Sequence, residues 1–350
     1  MYLVGHVEIV CADPEGDVDA AIIGFCFTGA GRENRILRSL PMTVVAVATR
    51  SGMVESEYHG HVVVTNPDAS VRLTIGEPGR IFYPRSTNKL MQAATMARLG
   101  LKLPARLAAL SASSHSGEGF HQAAVEEILT SAGLSVGDLD NTPALPYDEA
   151  VAREVLRSGG FPTRLAQNCS GKHAAMVATC VVNGWPVAGY LATDHPLQKA
   201  ITADIMSMTG EAIDRIGIDG CGAPAHAFSL FGLARAYGRA RSSTDSAHGI
   251  ANAMIAHPEI VGGTRRDVTL MMQNLPTVLI KDGADGVMAA ALADGTGIAL
   301  KIGDGAAPPR VAVLLRVLAL LGVDVAAAAA AAPLPVFGHG QPVGHVRCVL

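Results

Sequence analysis

Short β-branched runs lie toward both ends of this chain, and a long series of helical patterns separates them. Thr43–Ala48, His61–Thr65 and Val71–Ile75 are such runs, bounded by Gly, Asn, Pro or Asp. Strand patterns return at Thr277–Lys281, Gly286–Ala291 and Ile298–Ile302. Between them the spacing predicts helices over Ser86–Leu99, His121–Ser131, Tyr147–Arg157, Ser170–Val182, Leu197–Met208, Ala225–Tyr237 and His248–His257. One more helix is predicted over Pro309–Leu321. The pattern predicts an α+β fold: one antiparallel sheet built from both chain ends, with a helical middle on or beside it. Residues 1–41 show no sustained periodicity and read as an N-terminal extension to a domain spanning 42–350.

Composition narrows the function classes. The net charge is -4 and aromatics make up 4% of the 350 residues. Neither a basic surface nor a base-stacking platform for nucleic acid follows from that. The mean hydropathy is +0.30, which raises the question of a membrane. The longest apolar stretch, Val311–Ala332, is broken by Arg316 and Asp324. A charge near the centre of a span costs about 2.5–3.5 kcal/mol, so this stretch reads as a buried helix running into an Ala-rich tract. Asp13, Glu15, Asp17 and Asp19 precede the first short apolar run. A secretory signal needs basic residues there, so the expected location is cytoplasmic. The six cysteines show no framework spacing and are expected to be reduced.

Cation usage carries more information. Of 27 basic residues only six are lysines: Lys89, Lys102, Lys172, Lys199, Lys281 and Lys301. Lysine can give up its proton when buried and act as a base, which arginine cannot. Lys89 stands in Arg85-Ser86-Thr87-Asn88-Lys89, an S-x-x-K spacing. On a helix, positions i and i+3 share a face about 5–6 Å apart. The amine can then take the Ser86 proton, and the helix start favours the developing negative charge. The same spacing also occurs on solvated helices. Lys281 stands in Lys281-Asp282-Gly283, and Lys301 in Lys301-Ile302-Gly303. Both have a K-x-G shape, and Asp282-Gly283 is also a turn signal. Ser114-His115-Ser116 falls between Lys89 and Lys281 in a Ser-rich stretch, so Ser113, Ser114 and Ser116 are alternatives for a bridging hydroxyl. The order S-x-x-K, S-x-S, K-x-G matches the layout of Ser–Lys acyl hydrolases.

A second constellation joins Cys169-Ser170-Gly171-Lys172 to Asp219-Gly220-Cys221. Two thiolates can hold Zn²⁺. Lysine is a rare ligand, and two buried reduced cysteines would read the same way. His121, His173 and His226 lie near these segments and are expected to be structural.

Seven ordered blocks give this pattern a family likeness: Arg50–Glu55 with His59-Gly60, Arg85–Lys89, Ser114–Glu118 with His121, Asn168–His173, Asp219–Gly222, His257–Glu259 reaching Gly263, and Lys281–Gly286. Together they resemble the asparaginase II family of rhizobial type, the Ser–Lys class, and not the threonine-nucleophile asparaginases. The resemblance makes 42–350 the catalytic domain and implies a fold similar to serine β-lactamases and glutaminases. It further implies a homodimer that hydrolyses L-asparagine to L-aspartate and ammonia. By position it implies Ser86 as nucleophile, Lys89 as its base, and Ser114 and Lys281 completing the proton network. Arg85 and Asp219 would shape the substrate site. Cys169, Lys172 and Cys221 match the family's zinc site. Thr264-Arg265-Arg266-Asp267 departs from the glycine-containing block of the family. Two other readings stand beside this one. The first is a glutaminase, esterase or β-lactam hydrolase of the same architecture. The second is a non-catalytic sensor of asparagine or metal.

Overall fold

The computed structural model describes residues 43–350. The reading of residues 1–41 as an extension lies outside the described residues.

The strands are β1 (Thr43–Arg50), β2 (Met53–Thr65), β3 (Val71–Ile75), β4 (Ile81–Phe82), β5 (Arg215–Ile218), β6 (Pro224–Ser229), β7 (Leu279–Asp282), β8 (Val287–Ala291), β9 (Gly297–Ile302), β10 (Pro335–Gly338) and β11 (Gln341–Cys348). The main sheet runs β10-β11-β1-β2-β9-β8-β7, with β3 branching from β2, and its pairings are antiparallel. The two chain ends therefore meet where β1 pairs with β11 and where β2 pairs with β9. Strands β4, β6 and β5 form a small second sheet.

The α-helices are α1 (Lys89–Arg98), α2 (Ala105–Ser111), α3 (Gly119–Ser131), α4 (Glu149–Arg157), α5 (Ser170–Val182), α6 (Pro196–Thr209), α7 (Leu230–Ser242), α8 (Ser246–Ala256), α9 (Pro258–Val261), α10 (Asp267–Asn274), α11 (Pro308–Leu320) and α12 (Ala326–Ala331). Helix α11 packs on β1, β9 and β11, whereas α7 packs on β2, β8 and β9. Cover by helices explains why every residue of β7 and β8 is buried although antiparallel strands often alternate. Among the described residues, no helix is long and apolar enough to cross a membrane.

Helix α7 reaches the sheet through glycine. A Cβ on Gly297 would lie 2.0 Å from the Ala234 carbonyl oxygen. Gly297→Ala is therefore expected to lower stability by about 1–3 kcal/mol, the usual cost of overpacking. Chemical denaturation would measure it, and an unchanged midpoint would show that the two backbones can separate freely.

Two predicted helices need correction. Ala225–Tyr237 is not one helix: β6 occupies Pro224–Ser229, and α7 begins only at Leu230. Ser229 caps α7 by accepting from the Gly232 amide, and the residues before it pair with β5. The predicted Ser86–Leu99 helix opens as a 3₁₀ turn, Arg85–Asn88, and becomes α-helical at Lys89.

Candidate active site

The 3₁₀ turn between β4 and α1 presents Ser86. Arg85 enters it with φ of 52°, a left-handed conformation that costs energy in a residue with a Cβ. Two carboxylates hold Arg85 there. Its Nε donates to Asp219 at 3.0 Å, and Nη1 pairs with Asp285, which itself has φ of 56°. Behind the turn, Thr87 Oγ1 donates to the Pro84 carbonyl at 2.7 Å, and Tyr237 Oη donates to the Thr87 carbonyl at 2.8 Å. Ser86 is half-buried, and its hydroxyl has no hydrogen-bond partner among the described residues.

Lys89 begins α1 and is 2% exposed. Its Nζ donates to the Ser113 carbonyl at 2.6 Å and to Ser114 Oγ at 3.0 Å. The hydroxyl of Ser116 instead donates to the Gly262 carbonyl at 3.0 Å. Of the three candidate serines, Ser114 is the one that offers its hydroxyl to Lys89. The structure thus joins Lys89 to Ser114 directly and leaves Ser86 one turn away without such a bond.

Lys281 lies on β7 and is 0% exposed. Its Nζ donates to the Asp282 carbonyl and to Asp282 Oδ1, both at 2.7 Å. Burial drives this ammonium down to about 8; Asp282 opposes the shift, and the charge on Lys89 adds to it. Lys281 therefore stands within electrostatic reach of Lys89 but makes no hydrogen bond to either serine. The connection runs through Arg266, which donates to the Ser114 carbonyl at 3.2 Å and pairs with Asp282. Arg266 also sits over the Tyr147 ring, 4.5 Å from its centroid. Sequence reasoning missed this residue. Its only signal was the departure of Thr264–Asp267 from the expected block. The rival Lys301 belongs to β9 and lines a different cavity with His61 and Arg80.

The cleft beside Lys89 is lined by Arg85, Asn88, Gln92, Lys172, Asp219 and His226, among others. Burial alone would raise the Asp219 carboxyl, but Lys172 and Arg85 outweigh it and hold the group below its ordinary range. Asn88 Oδ1 and His226 Nδ1 are buried with no protein partner. The cleft thus offers three basic side chains, Arg85, Lys89 and Lys172, and one carboxylate, Asp219.

Cys169, Lys172 and Cys221 also converge. Lys172 Nζ donates to Cys221 Sγ at 3.2 Å, and Cys169 Sγ donates to Asn168 Oδ1 at 3.2 Å. The neighbouring Cys221 and the nearby Lys89 and Lys172 hold the Cys169 thiol well below its ordinary value. The donor set fits Zn²⁺, which accepts thiolate and nitrogen ligands and needs a fourth that another ligand can supply. Among the described residues, no three His, Cys, Asp or Glu side chains cluster as a metal site, so lysine is indispensable to this one. The buried histidines have other uses. His121 Nε2 donates to the Glu259 carbonyl at 3.0 Å, and His173 Nδ1 lies 2.7 Å from Tyr190 Oη. Burial drives both imidazoles below their ordinary value.

Residues 46–348 match the L-asparaginase II family. The chain belongs to that family. It is accordingly an amide hydrolase. No curated protein matches it. Among solved structures, this asparaginase II chain is similar to a β-lactamase from Mycobacterium bovis at 16% identity, with a TM-score of 0.41 over 75% of this chain and 95% of that one. It is also similar to a D-alanine carboxypeptidase AmpC from Burkholderia cenocepacia at 12% identity, with a TM-score of 0.38 over 75% of this chain and 93% of that one. Likeness at that level adds nothing to the assignment, which rests on the family match.

Proposed function

We propose that this chain hydrolyses L-asparagine to L-aspartate and ammonia through an acyl-enzyme on Ser86. The observation that supports this reading is the buried Lys89–Ser114 pair, with Arg85 and Lys89 lining a cleft of mixed charge and the half-buried Ser86 on the turn that joins them. A zwitterionic amino acid carries one anionic and one cationic group. Arg85 suits its carboxylate, and Asp219 suits its ammonium.

A carboxamide is a weak electrophile with a poor leaving group, and a covalent intermediate divides the difficulty. Ser86 Oγ attacks the side-chain carbonyl carbon as Lys89 accepts the hydroxyl proton. First-turn amides at Ser86 face the developing oxyanion, because the first N–H groups of a helix lack intrahelical partners. The C–N bond breaks, and the departing nitrogen takes a proton relayed from Lys89 through Ser114. Water then attacks the β-aspartyl ester and frees Ser86. Lys281, through Asp282 and Arg266, fixes the segment that carries Ser114.

Cys169, Lys172 and Cys221 would hold Zn²⁺ beside this cleft. Bound there, the ion would supply positive charge that orients the α-substituents of the substrate. Purified protein is expected to contain about one zinc per chain, and Cys169→Ser about none, by plasma mass spectrometry. Equal content in both proteins would remove the metal assignment.

Asparagine, glutamine and nitrocefin assayed side by side test the substrate. Ammonia from asparagine in clear excess supports the proposal. Preference for glutamine or nitrocefin would reassign the enzyme within the same chemistry. Asparagine binding by calorimetry without ammonia release would make the chain a sensor.

A further inference from the structure

Lys301-Ile302-Gly303, the K-x-G segment the catalytic cleft leaves unused, opens onto a second cavity of about 250 Å³. His61, Glu77, Arg80, Phe82, Leu230 and Lys301 contribute to its wall. His61 is 4% exposed. Its Nδ1 accepts the Glu77 backbone N–H at 3.0 Å. A neutral imidazole has one acceptor and one donor nitrogen, so this bond places the ring proton on Nε2. His61 Nε2 faces Arg80 Nη1 at 3.5 Å. A guanidinium can only donate, so this contact sets two donors against each other with no acceptor between them. Lys301 Nζ spends one donor on the Ile302 carbonyl and keeps two.

Nearby carboxylates do not satisfy these groups. Glu77 lines the cavity, and Asp285 and Asp304 lie within electrostatic reach of Lys301. Asp285 is paired with Arg85, and Asp304 Oδ1 accepts the Ala306 amide at 2.9 Å. Among the described residues, neither Arg80 nor Lys301 forms an ion pair within 4.0 Å. Arg80 is exposed and Lys301 half-buried, so water meets their spare donors, whereas a donor as buried as that of His61 costs about 1–3 kcal/mol when it has no acceptor.

We propose that this cavity binds a small organic anion, whose carboxylate or phosphate oxygens accept from His61 Nε2, Arg80 and Lys301. Phe82 and Leu230 would cover a short apolar body attached to the anionic group. Inorganic phosphate, phenyl phosphate and butyrate separate the two headgroups and test for the apolar body.

The experiment follows the His61 ring nitrogens by NMR in the full-length protein at slightly alkaline pH and constant ionic strength. His61→Asn assigns the signal. At least one probe at millimolar concentration is expected to shift the His61 resonances saturably. Arg80→Gln and Lys301→Gln are each expected to weaken that binding by about tenfold, the loss of one charge-assisted bond. A larger affinity for phenyl phosphate than for phosphate supports the apolar wall. The proposal is overturned if no probe moves His61, or if both variants bind as tightly as the parent. Anions held in the catalytic cleft would leave His61 unmoved, so the readout separates the two sites.

Discussion

Ser86→Ala is expected to reduce asparagine turnover by roughly four to six orders of magnitude, the loss seen when a hydrolase nucleophile is removed. Folding should survive. The Ser86 hydroxyl is half-buried and has no hydrogen-bond partner among the described residues, so its loss should change stability by no more than about 0.5 kcal/mol. Steady-state ammonia release and thermal unfolding check both halves of the expectation. Ser114→Ala is the informative companion. It removes the hydroxyl that Lys89 holds at 3.0 Å and should cost about a hundredfold to ten-thousandfold, as for a lost proton relay. If Ser114→Ala were inactive and Ser86→Ala active, the nucleophile would have to be reassigned to Ser114. Mass spectrometry of protein quenched during turnover adds a direct reading, since the acyl group should sit on the peptide containing Ser86.

Much of the fold is legible in the sequence. The β-branched runs at Thr43–Ala48, Val71–Ile75 and Ile298–Ile302 reappear as β1, β3 and β9, because alternating or continuous apolar residues between turn formers leave few alternatives. Ser170–Val182 matches α5 at both ends. Strand β11 was not anticipated. It carries Pro342 and Gly344, residue types depleted in strands, yet it lies beside β1. A Cβ on Gly344 would fall 1.8 Å from the Thr49 carbonyl oxygen, so this glycine is there for close approach and not for a turn. S-x-x-K and the two K-x-G segments singled out Lys89, Lys281 and Lys301 because the chain uses so few lysines. Spacing could not show that Lys89 bonds Ser114 and not Ser86. That choice is tertiary: the loop after α2 brings the Ser113 carbonyl and the Ser114 hydroxyl to one amine. Nor could it show Arg266, whose partners Ser114 and Asp282 are 152 and 16 positions away.

Lys281→Met should separate catalysis from stability. Lys281 is fully buried among cations, with Lys89 and Arg266 both opposing its charge. Asp282 would keep two partners without it, Arg266 and Arg310. The substitution therefore removes a buried charge and leaves its counter-ion paired, which avoids the uncompensated charge that makes breaking a buried pair costly. Activity should nonetheless fall by about a hundredfold or more, because the network behind Ser114 loses its lysine. The sign of the pH effect follows from the Lys281 shift. Its ammonium titrates at about 8 in the folded protein and from an ordinary value of 10.5 in the unfolded chain. Below pH 8 both states are protonated and the folded state carries the full penalty of the buried charge. Between pH 8 and 10.5 the unfolded chain binds more protons, so this penalty shrinks as pH rises and is gone above the window. The parent should thus gain on the order of 3 kcal/mol relative to Lys281→Met across that range. Denaturant unfolding of both proteins at several pH values measures the difference directly. A difference that stays flat from pH 8 to 10.5 would show that Lys281 keeps an ordinary ammonium, and Asp282 would then have to outweigh its burial.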